Sequence, residues 1–298
     1  MKRFFKDKKK LLFLSVFMLI TLAACSQPRG ANGDILKDQI IYLNSPFWDT
    51  VTNGSWFDII VWPISQMINF VGKYTDAGIA IIVVTLFIQL ITSAFSIKSQ
   101  VASQKMQMLQ PELNRIQAKY AGKTDDRSRM MQAQEMQAIY SKNKINPFGS
   151  ILVMFIQFPI ILGMYQAVMR AYTVISGDFM GIHLDTTVIA GIRDSQWAYL
   201  LIFLLMIVAQ FLSMKFPQWM QKHHQKKSNV KEKKYAQPEK KGSGMMQSMN
   251  MMMYMSLAMI SVFALSWPLG MSFYWLISSI ARVLQTLIID KFFIKGNV

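Results

Sequence analysis

Uncharged polar side chains recur inside long apolar stretches of this sequence. Five such stretches lie between Gly78 and Ile289, and they contain Gln89, Gln157, Gln166, Gln210, Ser278, Ser279 and Gln285. The chemistry that these side chains offer is hydrogen bonding without charge. Since the core of a lipid bilayer contains no water, amides at that depth need protein partners or water of their own. The pattern therefore predicts a hydrated surface inside a membrane protein rather than a simple anchor.

Two interpretations of these polar residues are open at this stage. Polar side chains in membrane helices often hydrogen-bond one helix to another, at ~0.6 kcal/mol on average. Their presence on at least three stretches favours instead a shared groove, lined by Gln89, Gln157, Gln210, Ser279 and Gln285. Arg282 lies about two turns from the end of the fifth stretch. It either faces this groove or extends to the lipid headgroups, which is the commoner arrangement.

The composition indicates a polytopic membrane protein. The chain has 298 residues, of which 52% are hydrophobic, and its net charge is +16. The mean hydropathy is positive, which at this length favours several membrane spans. Because the charges lie between the apolar stretches, we attribute them to membrane topology and anionic lipid rather than to nucleic acid.

The N-terminus has the pattern of a lipoprotein signal peptide. A basic leader precedes the apolar run Leu11–Thr21, which ends in Leu22-Ala23-Ala24-Cys25. This run is too short for a membrane span and is typical of a cleaved signal at residues 1–24. Leu-Ala-Ala-Cys resembles the bacterial lipobox, which predicts that Cys25 is acylated, for instance with palmitate. The alternative is an uncleaved anchor with an incidental cysteine.

The remaining chain is predicted to be entirely helical. Residues 25–76 form an extracellular tether with an amphipathic helix at Ser55–Lys73, which would lie in the membrane interface. Its polar face consists of Asp58, Ser65, Gln66, Asn69 and Lys73. Residues 77–97 form the first span and residues 98–146 a cytoplasmic antiparallel helical hairpin, with Thr124 or Asp125 as the cap of its second helix. Residues 147–298 hold four more spans, which are about Phe148–Val174, Trp197–Phe216, Met246–Leu265 and Met271–Ile289, together with a basic linker at 215–244 and a short basic tail.

The distribution of charge predicts the orientation. Residues 98–144 contain nine basic against four acidic residues, whereas residues 175–195 contain one arginine and three aspartates. Basic loops stay in the cytoplasm, so the hairpin, the linker and the C-terminus are expected there. Five spans then place the N-terminus outside a bacterial plasma membrane, which agrees with acylation of Cys25.

Catalytic and metal-binding motifs are weak. Gly122-Lys123-Thr124 resembles the end of a phosphate-binding loop, but Gln117 stands where that loop needs glycine. His223 and His224 lie in a polybasic stretch without a third ligand, and one cysteine allows neither a disulfide nor a cysteine cluster. We expect neither enzymatic activity nor a metal, and no cofactor other than the lipid on Cys25.

Taken together, these motifs resemble those of the YidC/Oxa/Alb membrane protein insertases of the Gram-positive lipoprotein type. The resemblance covers nearly the whole chain after Cys25 and is carried by the lipobox, Ile145-Asn146-Pro147, Gln157-Phe158-Pro159, Trp267-Pro268-Leu269-Gly270, Tyr274-Trp275 and Ser278-Ser279. It implies insertion and folding of membrane proteins without ATP hydrolysis, by a chain that functions as a monomer, alone or with the Sec translocon. The implied partners are nascent membrane proteins, the ribosome and anionic lipids.

One position departs from that resemblance. Family members with a lipobox usually have an arginine in the groove of the first span, where this chain has Gln89. The resemblance then implies weaker handling of substrates with acidic outer segments, or another feature that supplies the charge. Two other functions remain open, namely a small-solute transporter or channel that uses the same groove, and a lipoprotein scaffold that only recruits partners.

Overall fold

The computed structural model describes residues 36–143, 145, 149–227 and 245–294. Within these ranges the chain is helical and has no strand, only isolated bridges such as the one between Ile41 and Ala171. The predicted signal peptide, Cys25, Asn146-Pro147, the second part of the linker and the last residues of the tail lie outside the described residues. The helices are α1 Phe47–Asn53, α2 Asp58–Gly72, α3 Ala77–Met108, α4 Gln110–Lys119, α5 Asp126–Lys142, α6 Gly149–Arg170, α7 Tyr172–Ser176, α8 Val188–Arg193, α9 Trp197–Lys227, α10 Met245–Ser266 and α11 Leu269–Ile289.

Three of these helices are long and apolar enough to cross a membrane, as judged over the described residues. They are Ala77–Met108, Trp197–Met220 and Leu269–Phe293, the last of which extends α11 through a π-helical turn at Asp290–Ile294. The predicted all-helical membrane class is therefore confirmed, whereas the count of five spans stays a prediction.

The first predicted span and the hairpin meet at a different residue than expected. The span was expected to end at residue 97, but α3 continues without a break to Met108. The residues beyond 97 are mostly serine, glutamine, lysine and methionine, of which all but serine are good helix formers, so nothing interrupts the helix. The break comes just before Pro111, which lies in the first turn of α4, a position that tolerates proline. The hairpin proper is therefore the pair α4 and α5.

Side chains of both arms tie this hairpin together. Leu113, Ile116 and Tyr120, which are spaced three and four apart, are buried. Of the two predicted caps, Asp125 is the one that the structure shows, because its side chain accepts a hydrogen bond from the Ser128 amide at 2.8 Å. At the turn, Gly122 adopts a left-handed φ of 81°, which favours glycine.

Glu135 of α5 forms the polar contact of the hairpin. It accepts hydrogen bonds from Lys119 Nζ at 2.5 Å and from Tyr120 Oη at 2.8 Å. These bonds, with that from Lys119 the stronger, lower the pKa of the Glu135 carboxyl. The same carboxylate raises the pKa of Lys119.

Two other helices end at different residues than the predicted boundaries. The linker was expected to be irregular from residue 215, but α9 continues to Lys227 because its lysines and glutamines favour helix. The second span was expected to reach Val174, but α6 ends at Arg170. There Ile41 donates its amide to the Arg170 carbonyl at 2.7 Å and accepts from the Tyr172 amide at 3.1 Å, which holds Ala171 in an extended conformation.

The chain divides into two compact units. The first unit comprises Met1–Ile88, Ile156–Leu204 and Ala264–Ile277, and the second comprises Gln89–Phe155, Leu205–Phe263 and Ser278–Val298. Each of the long helices α3, α6, α9, α10 and α11 contributes residues to both units.

In the first unit, the polar face of α2 packs against protein. Asp58, Ser65 and Asn69 are buried, whereas Ile59 and Phe70 are exposed. For these three residues this corrects the expectation of a polar face turned to water, whereas Lys73 on the same predicted face is exposed. For Asp58 and Asn69 the physical reason is a set of specific partners. Asp58 pairs with Arg170, and the Asn69 amide donates to the Ile41 carbonyl at 2.7 Å while its oxygen accepts from the Thr173 amide at 3.0 Å.

The turn between α10 and α11 belongs to the same unit. The amides of Leu269 and Gly270 donate to the carbonyls of Thr186 and Leu184, each at 2.8 Å. The Trp267 ring packs between Tyr165 and Trp275, with ring centroids 4.4 and 5.6 Å away. These contacts fix the start of α11, the helix that carries three of the predicted site residues, Ser279, Arg282 and Gln285.

Candidate functional site

Gln210 is the centre of a polar cluster in the second unit. Its side-chain oxygen accepts hydrogen bonds from Ser279 Oγ at 2.5 Å and from Arg282 Nη2 at 3.1 Å. Gln210 lies on α9, and the two donors lie one turn apart on α11, so both face the same side of that helix. Gln210 and Ser279 are buried, at 3% and 0% exposure. Three of the residues singled out in the sequence thus meet at one point.

A second contact continues this arrangement along α11. Gln89 of α3 donates its amide to the side-chain oxygen of Gln285 at 3.4 Å, the long end of the hydrogen-bond range. The Gln285 amide nitrogen is buried and has no hydrogen-bond partner within the described chain. A buried amide nitrogen without a partner is a site that favours a bound water.

The polar residues of α11 therefore form one stripe. Ser279, Arg282 and Gln285 are spaced three apart, so they lie above one another on a single face of the helix. α9 contacts this stripe through Gln210 and α3 through Gln89. We call Ser279, Arg282 and Gln285, with Gln89 and Gln210, the polar stripe.

Gln157 lies in the first unit. Its amide donates to Tyr274 Oη at 3.1 Å, and Tyr274 is almost fully buried. The sequence predicted that Gln157 lines the same surface as the other glutamines. What the structure shows is a helix-to-helix hydrogen bond from α6 to α11, the kind of contact that was the alternative for each glutamine.

The Arg282 side chain is in hydrogen-bond contact with other members of the polar stripe. Its guanidinium donates to Gln210 and, at 3.5 Å, to Ser279 Oγ. Arg282 thus contacts two of the residues that the sequence predicted to line the groove. The positive charge of the polar stripe thus comes from α11, whereas Gln89 contributes a neutral amide on α3.

The Asp58–Arg170 ion pair was missed in the sequence analysis. The side chains of both residues are buried, and Arg170 Nε also donates to the Gln39 carbonyl at 2.9 Å. A signal was present, because Arg170 is a cation inside the predicted second span and needs a partner there. The partner could not be identified, since Asp58 lies 112 positions away.

The chemistry of the polar stripe is hydrogen bonding with one added positive charge. It contains no acid, histidine or cysteine, and the described residues hold no group of three metal-ligating side chains. Side chains of this kind bind polar chain segments and water.

Comparison with known proteins gives a consistent set of relatives. The sequence model of the family described as 60Kd inner membrane protein matches residues 67–296. A Bacillus subtilis protein named membrane protein insertase MisCA is 29% identical over 289 residues, which are 96% of this chain and 92% of the relative. Membrane protein insertase YidC of Oceanobacillus iheyensis is 32% identical over 242 residues, 80% of this chain and 85% of the relative. YidC 2 of Bacillus anthracis is 27% identical over 98% of this chain and 97% of its own length.

Proposed function

We propose a mechanism for this chain from the premise that it belongs to the 60Kd inner membrane protein family, the YidC/Oxa/Alb family of membrane protein insertases. It is a membrane protein insertase. The solute transporter that the sequence left open finds no support among these relatives, whose names describe insertases.

In the proposed mechanism, the polar stripe lines a groove open to the cytoplasm and to lipid. The barrier to insertion is the transfer of a polar chain segment through hydrocarbon. Gln89, Gln210 and Gln285 offer hydrogen bonds to that segment. Water bound near the unpartnered Gln285 amide nitrogen shortens the distance over which the segment would cross hydrocarbon without hydration. Burial of the apolar substrate span in lipid then supplies the free energy, so ATP hydrolysis is not needed.

Arg282 gives this groove its charge. A guanidinium that is partly desolvated attracts carboxylates strongly, because the local dielectric constant is low. The charge expected at position 89 is thereby supplied from α11, one turn from Gln285. Substrates with acidic outer segments should depend on Arg282.

For topology, we propose five spans with the N-terminus outside and the C-terminus in the cytoplasm. α6 and α10 each have 22 residues, a length of ~33 Å that suffices for a core of ~30 Å. The positive-inside bias supports this orientation. Signal cleavage after residue 24 and acylation of Cys25, for example with palmitate, would anchor the mature N-terminus at the outer face of the plasma membrane.

For partners, we propose that the hairpin α4–α5 receives nascent membrane proteins from the ribosome. The basic linker and tail would contact ribosomal RNA or anionic lipid. The chain would act as a monomer, alone or beside the Sec translocon, and also assist folding as a chaperone.

The observation that carries this proposal is the Gln210–Ser279–Arg282 contact between the apolar helices α9 and α11. The test reconstitutes the purified chain in sealed vesicles that contain no nucleotide-driven translocase. A short single-span membrane protein is then translated in the presence of these vesicles. We expect protease-protected insertion, reduced severalfold by Gln210→Leu and unchanged by Gln196→Leu, the same substitution at an exposed residue. Flux of small solutes with no insertion would contradict the proposal.

A further inference from the structure

A cavity of about 450 Å³ lies in the first unit where α3 begins. Its wall includes the end of α2, the loop Lys73–Asp76, Ala77 at the first turn of α3, and α7 with Asp178 beyond it. A volume of this size is typical of small-ligand sites. The groove mechanism makes no use of this cavity.

Charges of both signs line this cavity without neutralising one another. Lys73, Asp76 and Asp178 all contribute to the wall, and none of them forms a salt bridge within the described chain. Asp76 accepts the Ile79 amide and Asp178 the Gly181 amide, each with one carboxylate oxygen. The Lys73 ammonium lies 5.5 Å from the Tyr74 ring. One cation and two anions therefore remain available to a ligand.

The walls of the cavity are held in place by buried contacts. Asn69, which is 3% exposed, bridges the Ile41 carbonyl and the Thr173 amide. Gly72 lies so close to Thr173 that an added methyl group would overlap its side chain, at 2.1 Å. The cavity is thus a built feature of the unit and not a gap between loosely packed loops.

We propose that this cavity binds a phospholipid whose headgroup carries both a phosphate and an ammonium group. The phosphate would pair with the Lys73 ammonium. The ammonium would pair with Asp76 and Asp178. A headgroup with a phosphate alone fits less well, because two carboxylates repel it.

The membrane depth of the cavity agrees with this ligand. In the proposed topology, on which this inference rests, Ala77 begins the first span at the outer interface, where headgroups lie. Phe70 and Tyr74 are exposed beside the cavity with ring centroids 5.8 Å apart, and exposed aromatic residues are typical of that interface.

The test uses native mass spectrometry of the purified full chain with added phosphatidylethanolamine or phosphatidylglycerol. We expect phosphatidylethanolamine to bind roughly fivefold more tightly, the scale of one partly exposed ion pair. The double variant Asp76→Asn/Asp178→Asn removes both partners of the ammonium and should bind both lipids equally. The control Asp38→Asn/Asp49→Asn makes the same charge changes at exposed residues outside the cavity and should keep the preference.

Equal binding of the two lipids by the unmodified chain, or an unchanged preference in the double variant, would overturn the inference. Displacement of the lipid by an equal concentration of soluble phosphoethanolamine would overturn its assignment to a lipid. Vesicle insertion is measured in parallel. Normal insertion with no lipid preference contradicts only this inference, whereas lost insertion in a chain that still prefers phosphatidylethanolamine contradicts the proposed function.

Discussion

The contact between Gln210 and Arg282 gives a quantitative prediction for a double-mutant cycle. The two substitutions are Gln210→Leu, which keeps the side-chain size, and Arg282→Met, which keeps an unbranched stem. Gln210 accepts hydrogen bonds from both Ser279 and Arg282, so its removal leaves two donors without their acceptor. The cost of an unsatisfied buried group is ~1–3 kcal/mol. We expect Gln210→Leu to lower the free energy of unfolding by ~2 kcal/mol.

The coupling energy is the sharper quantity. Hydrogen bonds to charged groups contribute ~1.5–3 kcal/mol in general, but polar contacts between membrane helices average ~0.6 with a maximum of ~1.7 kcal/mol. The 3.1 Å distance describes one direct hydrogen bond. We therefore expect Gln210→Leu and Arg282→Met to be coupled by ~1 kcal/mol.

The assay is equilibrium unfolding of each variant in mixed micelles, with extrapolation to zero denaturant. A control cycle pairs Gln210→Leu with Arg115→Met, an arginine exposed on α4, and its effects should add. A coupling below ~0.3 kcal/mol for Gln210 with Arg282 would lie within the error of simple additivity. It would mean that Arg282 does not face Gln210 in the folded protein, and the polar stripe would lose its cation.

Three further predictions concern the rest of the chain. Asp58→Asn should lower the free energy of unfolding, measured by thermal unfolding, by ~3–5 kcal/mol, because it leaves the buried Arg170 charge uncompensated. If the double variant Asp58→Asn/Arg170→Met is no more stable than Asp58→Asn, the unpaired charge is not the cause. Gly191→Ala should cost ~1–3 kcal/mol, since its methyl group would lie 2.3 Å from the rigid Tyr199 ring; an unchanged melting temperature would show that the ring moves aside. Glu135→Gln should speed hydrogen exchange in α4 and α5. In the unmodified chain the lowered pKa of Glu135 contributes stability above its ordinary value of 4.5, and this stability is lost as pH falls through the folded value. The raised pKa of Lys119 contributes stability below 10.5, which is lost as pH rises through the folded value. Protection factors of α4 and α5 that stay constant across this pH range, after correction for intrinsic exchange rates, would contradict the contact.

Local patterns in the sequence were sufficient to predict an all-helical chain and to limit the cap of α5 to two neighbouring residues. Asp125 followed by Ser128, and the spacing of Leu113, Ile116 and Tyr120, are signals that act within a few turns. The ends of helices were predicted less well. α3 and α9 continue into polar sequence because glutamine and lysine favour helix as well as they mark the end of a membrane span. Hydropathy marks the edge of the membrane, which is not the end of a helix.

Partners across long sequence separations could not be predicted. The sequence identified Gln210, Ser279 and Gln285 as polar residues at membrane depth, but not that Gln210 accepts from Arg282 or that Gln157 donates to Tyr274. Similarly, Asp58 and Asn69 on a helix of clear amphipathic pattern were assigned to its free face. They are buried because Arg170 and the Ile41 carbonyl, distant in sequence, satisfy them.

The central claim is that the polar stripe lies in the path of an inserting chain. It is tested most directly by a photocrosslinking amino acid at position 89 during translation of a single-span membrane protein. Position 90, whose Leu90 is 71% exposed on the same helix, serves as the matched control. We predict a crosslink from position 89 to the nascent span that disappears when the chain is released, and crosslinks from position 90 to lipid. Crosslinks from position 89 only to lipid or to this protein's own helices would contradict the claim.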